Sequence, residues 1–123
     1  MKRKHRQQMT PEEIERIESL VHAQTRWSGL GPHKTKMVQE RQVPDKELFD
    51  VLNTGRVVEV NHTNDLCVVF RKDYEKYSVC VVANLPTRWI ITAWKNKVCD
   101  KHRSLDISQY CWKANLIDEF KEF

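Results

Sequence analysis

The sequence predicts an α+β fold in which N-terminal helices pack on a four-stranded antiparallel meander sheet, followed by a C-terminal helical tail. Apolar residues recur at helical spacing in the first half of the chain, and β-branched and aromatic runs follow residue 55. The turns between these runs are short. Because parallel strands need crossovers of a dozen or more residues, strands joined this briefly are expected to be antiparallel.

The chain of 123 residues fits one domain. We expect residues 10–123 to form a single α+β domain and residues 1–9 to form a basic disordered arm. The arm begins MKRKHR, and its Lys and Arg residues account for the whole formal charge of +4. Short charged termini are commonly frayed.

The first helix is predicted to begin at Pro11. Thr10 is a suitable N-cap, Pro is favoured at the first helical position, and Glu13 completes a capping box. The stretch SGLGP at 28–32 then ends the helix, because Gly and Pro do not continue one. One apolar stripe is formed by Ile14, Ile17, Leu20 and Val21.

Residues 33–60 predict one helix, a second helix that begins at Pro44 and is ended by a glycine, and then a strand. Gly55 stands where a left-handed C-terminal cap is expected. The strands are then predicted at RVVEV, LCVVFRK, YSVCVVAN and RWIITAWK, separated by NHTND, DYEK and LPT. In the tail, the apolar residues expected to dock a helix are Tyr110, Trp112, Leu116, Ile117 and Phe120.

The charge distribution leaves two interpretations open. Residues 71–103 hold eight Lys and Arg residues against three acids, which predicts either a basic face that meets phosphate or a solvated surface. Apolar runs such as CVVF are too short to span a bilayer, and no signal peptide is evident. We therefore expect a cytoplasmic protein without a membrane partner.

The four cysteines, Cys67, Cys80, Cys99 and Cys111, have no CxxC or zinc-type spacing. They are expected to be buried thiols, with a disulfide or a metal site as the alternative. No P-loop, HExxH, calcium-loop or GxSxG motif is present. What remains is a set of His, Arg, Lys, Thr and Trp residues, which is typical of ribonucleases that need neither metal nor cofactor.

An ordered pattern within residues 33–96 consists of His33, Lys36, Arg41, Gly55, Arg71, Thr92, Ala93 and Trp94. This pattern resembles that of the barnase, EndoU, colicin and RelE group of small toxin-like ribonucleases. That group has His and Arg on the helix before the sheet, an Arg on a middle strand, and a Thr-Val-aromatic ending on the last strand. The chain differs where many relatives read Arg-Gly-Ile, since it has Arg41, Gln42 and Val43.

The resemblance implies a set of catalytic residues. His33 and His102 would exchange protons with the RNA, while Arg41, Arg71 and Lys36 would stabilise the phosphorane charge. Each residue has a structural alternative. His33 could cap a helix, His102 could be an exposed loop residue, and Lys36 could be solvated surface. The arginines could be outward members of ion pairs with Glu40, Glu59 or Asp73.

Substrate binding is predicted on the last strand. Thr92 and Trp94 share one face by strand alternation, and Ala93 and Lys95 share the other. We expect Thr92, Trp94 and Lys95 to contact substrate, with Trp94 or Trp89 stacking on a base. The alternative for Thr92 is an ordinary sheet position, and which pair faces the core stays open.

The predicted function is therefore metal-independent endoribonuclease activity on tRNA, rRNA or mRNA in a bacterial host cell. The 2′-hydroxyl of the RNA would attack the phosphate and leave a cyclic phosphate product. An antitoxin, immunity protein or host protein is a possible partner. The alternative is a non-catalytic phage or mobile-element protein that docks on a host protein or nucleic acid.

Overall fold

A computed structural model describes residues 2–24, 26–27, 43–62, 65–97, 107–121 and 123. It confirms the predicted α+β class. One antiparallel sheet has five strands in the order β1 to β5, one more than predicted. The strands are β1 (Lys2–His5), β2 (Arg56–His62), β3 (Leu66–Asp73), β4 (Ser78–Asn84) and β5 (Trp89–Asn96). The helices of the described ranges are α1 (Pro11–His22), α2 (Asp45–Thr54) and α3 (Leu116–Glu119), with 3-10 turns at Arg6–Gln8 and Ile107–Gln109.

The additional strand, β1, comes from the predicted disordered arm, and that prediction is wrong for residues 2–8. Lys2–His5 pair antiparallel with β2, and a 3-10 turn follows directly. Lys4 is only 7% exposed, because its ammonium meets the buried carboxylate of Glu13 at 2.8 Å. Charge alone suggested a solvated arm, whereas the partners that bury it lie elsewhere in the chain.

Helix α1 forms as predicted. The Thr10 hydroxyl accepts from the Glu13 amide at 3.2 Å, and the Glu13 carboxylate accepts from the Thr10 amide at 2.8 Å. This reciprocal pair is the capping box that the sequence indicates. Ile17, Leu20 and Val21 are buried.

Helix α2 follows Pro44 and buries the predicted patch of Leu48, Val51 and Leu52. Gly55 ends this helix as expected, but not in a left-handed conformation. Its φ of −79° and ψ of −176° are ordinary extended values. Glycine is required here because two backbone segments approach it closely. A Cβ atom at this position would overlap the carbonyl oxygen of Val51 and lie 2.8 Å from the carbonyl oxygen of Arg71.

The strand register assigns each residue of the sheet to one of two faces. The first face packs on the helices and contributes Val57, Val60, Val68, Phe70, Val79, Val81, Ala83, Ile90 and Ala93 to the core. Directly paired residues on the opposite, second face include Arg3 with Asn61, His5 with Glu59, and Val82 with Thr92. The open question on β5 is thereby settled. Ala93 faces the core, and Thr92 and Trp94 lie on the second face.

The C-terminal tail packs against strand β1 at the edge of the sheet. The Trp112 amide donates to the Arg3 carbonyl at 3.0 Å, and Trp112, Leu116 and Phe120 are buried. Its α-helix is only four residues long. Across the ranges that the structure describes, no helix has both the length and the apolar character needed to span a membrane.

Candidate functional site

A group of polar side chains converges on the second face where β1, β2 and residue 110 meet. We call Arg3, His5, Glu59 and Tyr110 the β1–β2 cluster. Arg3 donates to both carboxylate oxygens of Glu59, from Nη2 at 2.8 Å and from Nε at 3.3 Å. Its Nη2 also donates to the Tyr110 hydroxyl at 2.8 Å. The guanidinium is therefore fixed by two partners, in the bidentate geometry that suits carboxylate or phosphate.

Glu59 is the buried anion of the cluster. It points from the second face of β2, directly opposite His5 in the register, and the Asn61 amide also donates to its Oε2 at 3.0 Å. A buried carboxylate is retained only where charge and hydrogen bonds compensate for lost hydration. Arg3 and Asn61 supply that compensation.

His5 adds a group able to transfer protons. Its ring meets Tyr110 edge-on, with the centroids 5.2 Å apart. Its Nδ1 accepts from the Gln7 amide at 3.1 Å, so we infer that the neutral imidazole carries its proton on Nε2. The backbone thus selects the tautomer.

The charge states of the cluster follow from its contacts. The hydrogen bond with Glu59 is the main cause that raises the pKa of Arg3. Burial, and then the charge of Glu59, raises the pKa of the Tyr110 phenol. Near neutral pH the cluster therefore presents the Arg3 cation and the un-ionised Tyr110 phenol beside the buried Glu59.

Arg71, predicted as a phosphate clamp, occupies a second polar group on the same face. Its side chain is 0% exposed. Its Nε donates to Asp73 at 3.1 Å and its Nη2 to the Ser78 hydroxyl at 2.8 Å and to the Lys97 carbonyl at 3.3 Å. The sequence left open an ion pair with Asp73 as an alternative, and that pair forms, but Arg71 is buried and does not face outward. Phosphate contact by Arg71 would require the guanidinium to become exposed.

We expect Arg71→Met to raise the pKa of Asp73. Burial opposes ionisation of Asp73, but hydrogen bonds from Ser78 and Arg71 and the charges of Arg56 and Arg71 outweigh it, so the pKa lies below its ordinary value. Removing Arg71 deletes one of those hydrogen bonds and one of those charges. An NMR titration of the Asp73 carboxyl carbon measures the change, with exposed Lys76→Met as the control.

The same substitution has a consequence for acid stability. A lowered carboxyl pKa in the folded state contributes stability above the unfolded value, and that contribution is lost as the pH falls. The Arg71→Met protein should therefore lose less of its remaining stability on acidification than the wild type does. An unchanged Asp73 titration would contradict this account of the Arg71 group.

The other predicted site residues divide into two sets. His33, Lys36, Arg41 and His102 lie outside the residues that the structure describes, so their roles stay predictions. Thr92 and Trp94 share the second face, as strand alternation predicted. Lys95 pairs with Val79 on the first face, and its ammonium lies 4.3 Å from the ring centroid of Tyr77. The structure thus brings Thr92 and Trp94 together and separates Lys95 from them.

Sequence reasoning missed Arg3, His5 and Tyr110 as site residues, and treated Glu59 only as an ion-pair partner. One local signal marks Glu59, because a glutamate interrupts the valine run RVVEV where strand alternation allows a buried position. Arg3 and Tyr110 carry no comparable signal. They are 107 positions apart in sequence and meet only in the fold.

The cysteines add no disulfide or metal site to the described part of the chain. Cys80 is buried, Cys67 is half-buried and Cys111 is exposed, and no disulfide joins these three. Cys99 lies outside the described residues. Within the described part of the chain, no three His, Cys, Asp or Glu side chains are grouped so that they could hold a metal ion.

Comparison with protein family models, with curated proteins and with solved structures finds no match for this chain. The resemblance to the barnase, EndoU, colicin and RelE group therefore stays a prediction.

Proposed function

We propose that this protein is a metal-independent endoribonuclease whose site lies on the second face of the sheet. The observation that carries the proposal is the convergence of Arg3, His5, Glu59 and Tyr110 on that face. A carboxylate and a guanidinium supply the base and the cation needed to cleave RNA through its own 2′-hydroxyl, and the imidazole adds a hydrogen-bond donor. The α+β architecture, with helices on one face of an antiparallel sheet, agrees with the resemblance that suggested this activity.

The proposed reaction assigns one task to each group. Glu59 accepts the proton of the 2′-hydroxyl as the oxygen attacks phosphorus, and the Nε2–H of His5 donates a hydrogen bond to a phosphorane oxygen. The departing 5′-oxygen takes its proton from an acid outside the cluster, His33 or His102. Arg3 binds the equatorial oxygens of the phosphorane. For this to occur the substrate phosphate must take over the guanidinium that Glu59 holds in the free protein. The products are a 2′,3′-cyclic phosphate and a free 5′-hydroxyl.

The predicted residues outside the described ranges belong to the same proposal. His33 or His102 would serve as an additional acid or base, and Arg41 and Lys36 would add positive charge around the phosphate. The substrate class is tRNA, rRNA or mRNA in the cytoplasm of a bacterial host cell. An antitoxin, immunity or host protein would act by covering the second face.

The proposal is tested by incubating purified protein with total RNA and tRNA in excess EDTA and mapping the product ends. We expect discrete cleavage that leaves a cyclic phosphate. Glu59→Gln preserves the shape of the side chain but removes the base, and should slow cleavage by about 10²- to 10⁴-fold. His33→Ala tests the acid or base predicted from the sequence in the same assay.

Exposed Glu75 in the turn before β4 provides a matched control. Glu75→Gln makes the same chemical change away from the cluster and should cleave like the wild type. Intact RNA after incubation with a well-folded wild-type protein would contradict the enzyme proposal. Equal rates for Glu59→Gln and wild type would remove Glu59 from the mechanism.

The second candidate function is a non-catalytic protein that docks on a host protein. It is favoured by Phe49 on α2, a large apolar side chain that is 40% exposed. Phe49 borders a cavity of about 720 Å³ whose lining includes Pro44, Asp50 and Tyr74. Under this candidate, Phe49→Ser abolishes capture of the partner, whereas Glu59→Gln leaves it unchanged.

A further inference from the structure

We propose that a row of side chains across the second face is a platform for single-stranded RNA, leading from a base-stacking position to the β1–β2 cluster. The cross-strand row consists of Arg3, Asn61, Cys67, Asn84 and Trp89. The inference deepens the proposed function and depends on it for the identity of the ligand. Its geometry depends only on the strand register.

The register makes the row continuous. Arg3 pairs with Asn61, Asn61 with Cys67, Cys67 with Asn84, and Asn84 with Trp89, so that each of the five strands contributes one residue. Directly paired residues project from the same face of a sheet. Since neighbouring strands are about 4.8 Å apart, the row extends over roughly 19 Å. That length accommodates a short stretch of nucleotides.

Where it crosses β1 to β3, the row is more accessible than the adjacent row, in which Val82 and Thr92 on β4 and β5 are half-buried. Trp89 is 43% exposed, and the other four members are half-buried. In the adjacent row, by contrast, His5, Glu59 and Val69 are all buried. A ligand lying on this end of the second face would therefore contact the cross-strand row first.

The order of residue types along the row matches single-stranded nucleic acid. Trp89 at one end presents an indole on which an unpaired base can stack. Arg3 at the other end provides the cation for a phosphate, and no carboxylate belongs to the row. The two asparagines between them can read base edges.

The asparagine amides are already oriented by the protein. The Asn84 Nδ2 donates to Asp65 at 3.0 Å, and its Oδ1 accepts from the Thr87 amide at 3.1 Å. A primary amide has two donor hydrogens and two acceptor lone pairs. These contacts use one of each, so the fixed group still has the capacity to bind a base edge. A pre-oriented amide loses little entropy on binding.

The row connects directly to the proposed catalytic groups. Arg3 is a member of both the row and the β1–β2 cluster, and Asn61 donates to Glu59. A base stacked on Trp89 would hold the strand so that a phosphate several positions along reaches Arg3. The stacked base would then select the bond that is cleaved. Paired bases cannot stack in this way, so the platform favours single strands.

The test measures binding separately from cleavage. A fluorescein-labelled, fully 2′-O-methylated oligonucleotide cannot be cleaved by 2′-hydroxyl attack, and its anisotropy reports binding to the full chain in EDTA. We expect Trp89→Ala to weaken binding by about 5- to 150-fold. Trp89→Phe should retain most of the affinity because the aromatic ring remains. Phe49→Ala removes another exposed aromatic ring and should bind like the wild type.

The outcomes distinguish the platform from the enzyme. Binding that depends on Trp89 without any cleavage of natural RNA supports the platform and contradicts the endoribonuclease. If the wild type cleaves RNA, and folded Trp89→Ala binds and cleaves as well as the wild type does, the platform is overturned and the endoribonuclease proposal is retained. No binding by the wild-type protein, or equal binding of a duplex, also overturns the platform.

Discussion

Glu13→Ala is expected to lower the free energy of unfolding by about 3–5 kcal/mol, because it leaves the buried Lys4 ammonium without its carboxylate partner. Glu13 is 2% exposed and accepts from the Lys4 ammonium at 2.8 Å and the Leu116 amide at 2.9 Å. It also accepts from the Thr10 amide at 2.8 Å. One carboxylate therefore joins β1, the start of α1 and the start of α3. Urea unfolding followed by circular dichroism measures the loss.

Exposed Glu12, in the same turn of α1, is the matched control. Glu12→Ala should change stability by no more than about 0.5 kcal/mol. Adding Lys4→Met to Glu13→Ala should recover part of the loss, because the unpaired ammonium is then removed as well. A Glu13→Ala protein as stable as Glu12→Ala would contradict the interpretation.

The same carboxylate gives the fold a specific dependence on pH. Burial opposes the ionisation of Glu13, but the hydrogen bonds from Lys4, Thr10 and Leu116 outweigh it and hold the pKa below its ordinary value of 4.5. The stability from this group is therefore complete above that pH and is lost as the pH falls through the folded-state pKa. Glu13→Ala should flatten this acid-side decline, whereas Glu12→Ala should preserve it.

Gly55→Ala is expected to destabilise the protein by about 3 kcal/mol through steric overlap. The added Cβ would meet the carbonyl oxygen of Val51 and lie 2.8 Å from the carbonyl oxygen of Arg71. Both obstacles are backbone, one at the end of α2 and one in β3, so no side chain can rotate away. The thermal midpoint and the urea midpoint should both fall.

The neighbouring exposed residue Asn53 provides the control for this substitution. Asn53→Ala introduces the same side chain two positions earlier and should be neutral or slightly stabilising, since Ala favours helix. If Gly55→Ala matched Asn53→Ala, the close approach of the two backbone segments would be refuted. The backbone dihedrals of Gly55 would not by themselves cause a loss, because they are accessible to alanine.

The sequence predicted those parts of the fold whose signals are local. The capping box at Thr10 and Glu13, the apolar patch of α2, and the alternating runs of β2 to β5 each lie within a few residues. Strand β1 lacked such a signal. Its residues are mostly cationic, and they become ordered only because Glu13, Glu59 and residues 110–114 approach them in the folded chain.

The candidate site was less predictable for the same physical reason. Arg71 was recognised as important, and its pair with Asp73 two residues away is local, but its burial also depends on contacts with Ser78 on β4 and the Lys97 carbonyl, which spacing does not encode. The β1–β2 cluster joins residues 3, 59 and 110. Thr92 and Trp94 were placed correctly on one face because alternation along a strand is a local property.

The contact between β1 and the tail also affects when the protein can finish folding during synthesis. Arg3 receives a hydrogen bond from Trp112, and Lys4 donates to the Ala114 carbonyl at 3.0 Å. Strand β1 is synthesised first. It cannot form these contacts until residues more than a hundred positions later in the chain have left the ribosome. Until then one edge of β1 lacks its cover, and a nascent chain would expose a short, highly basic strand.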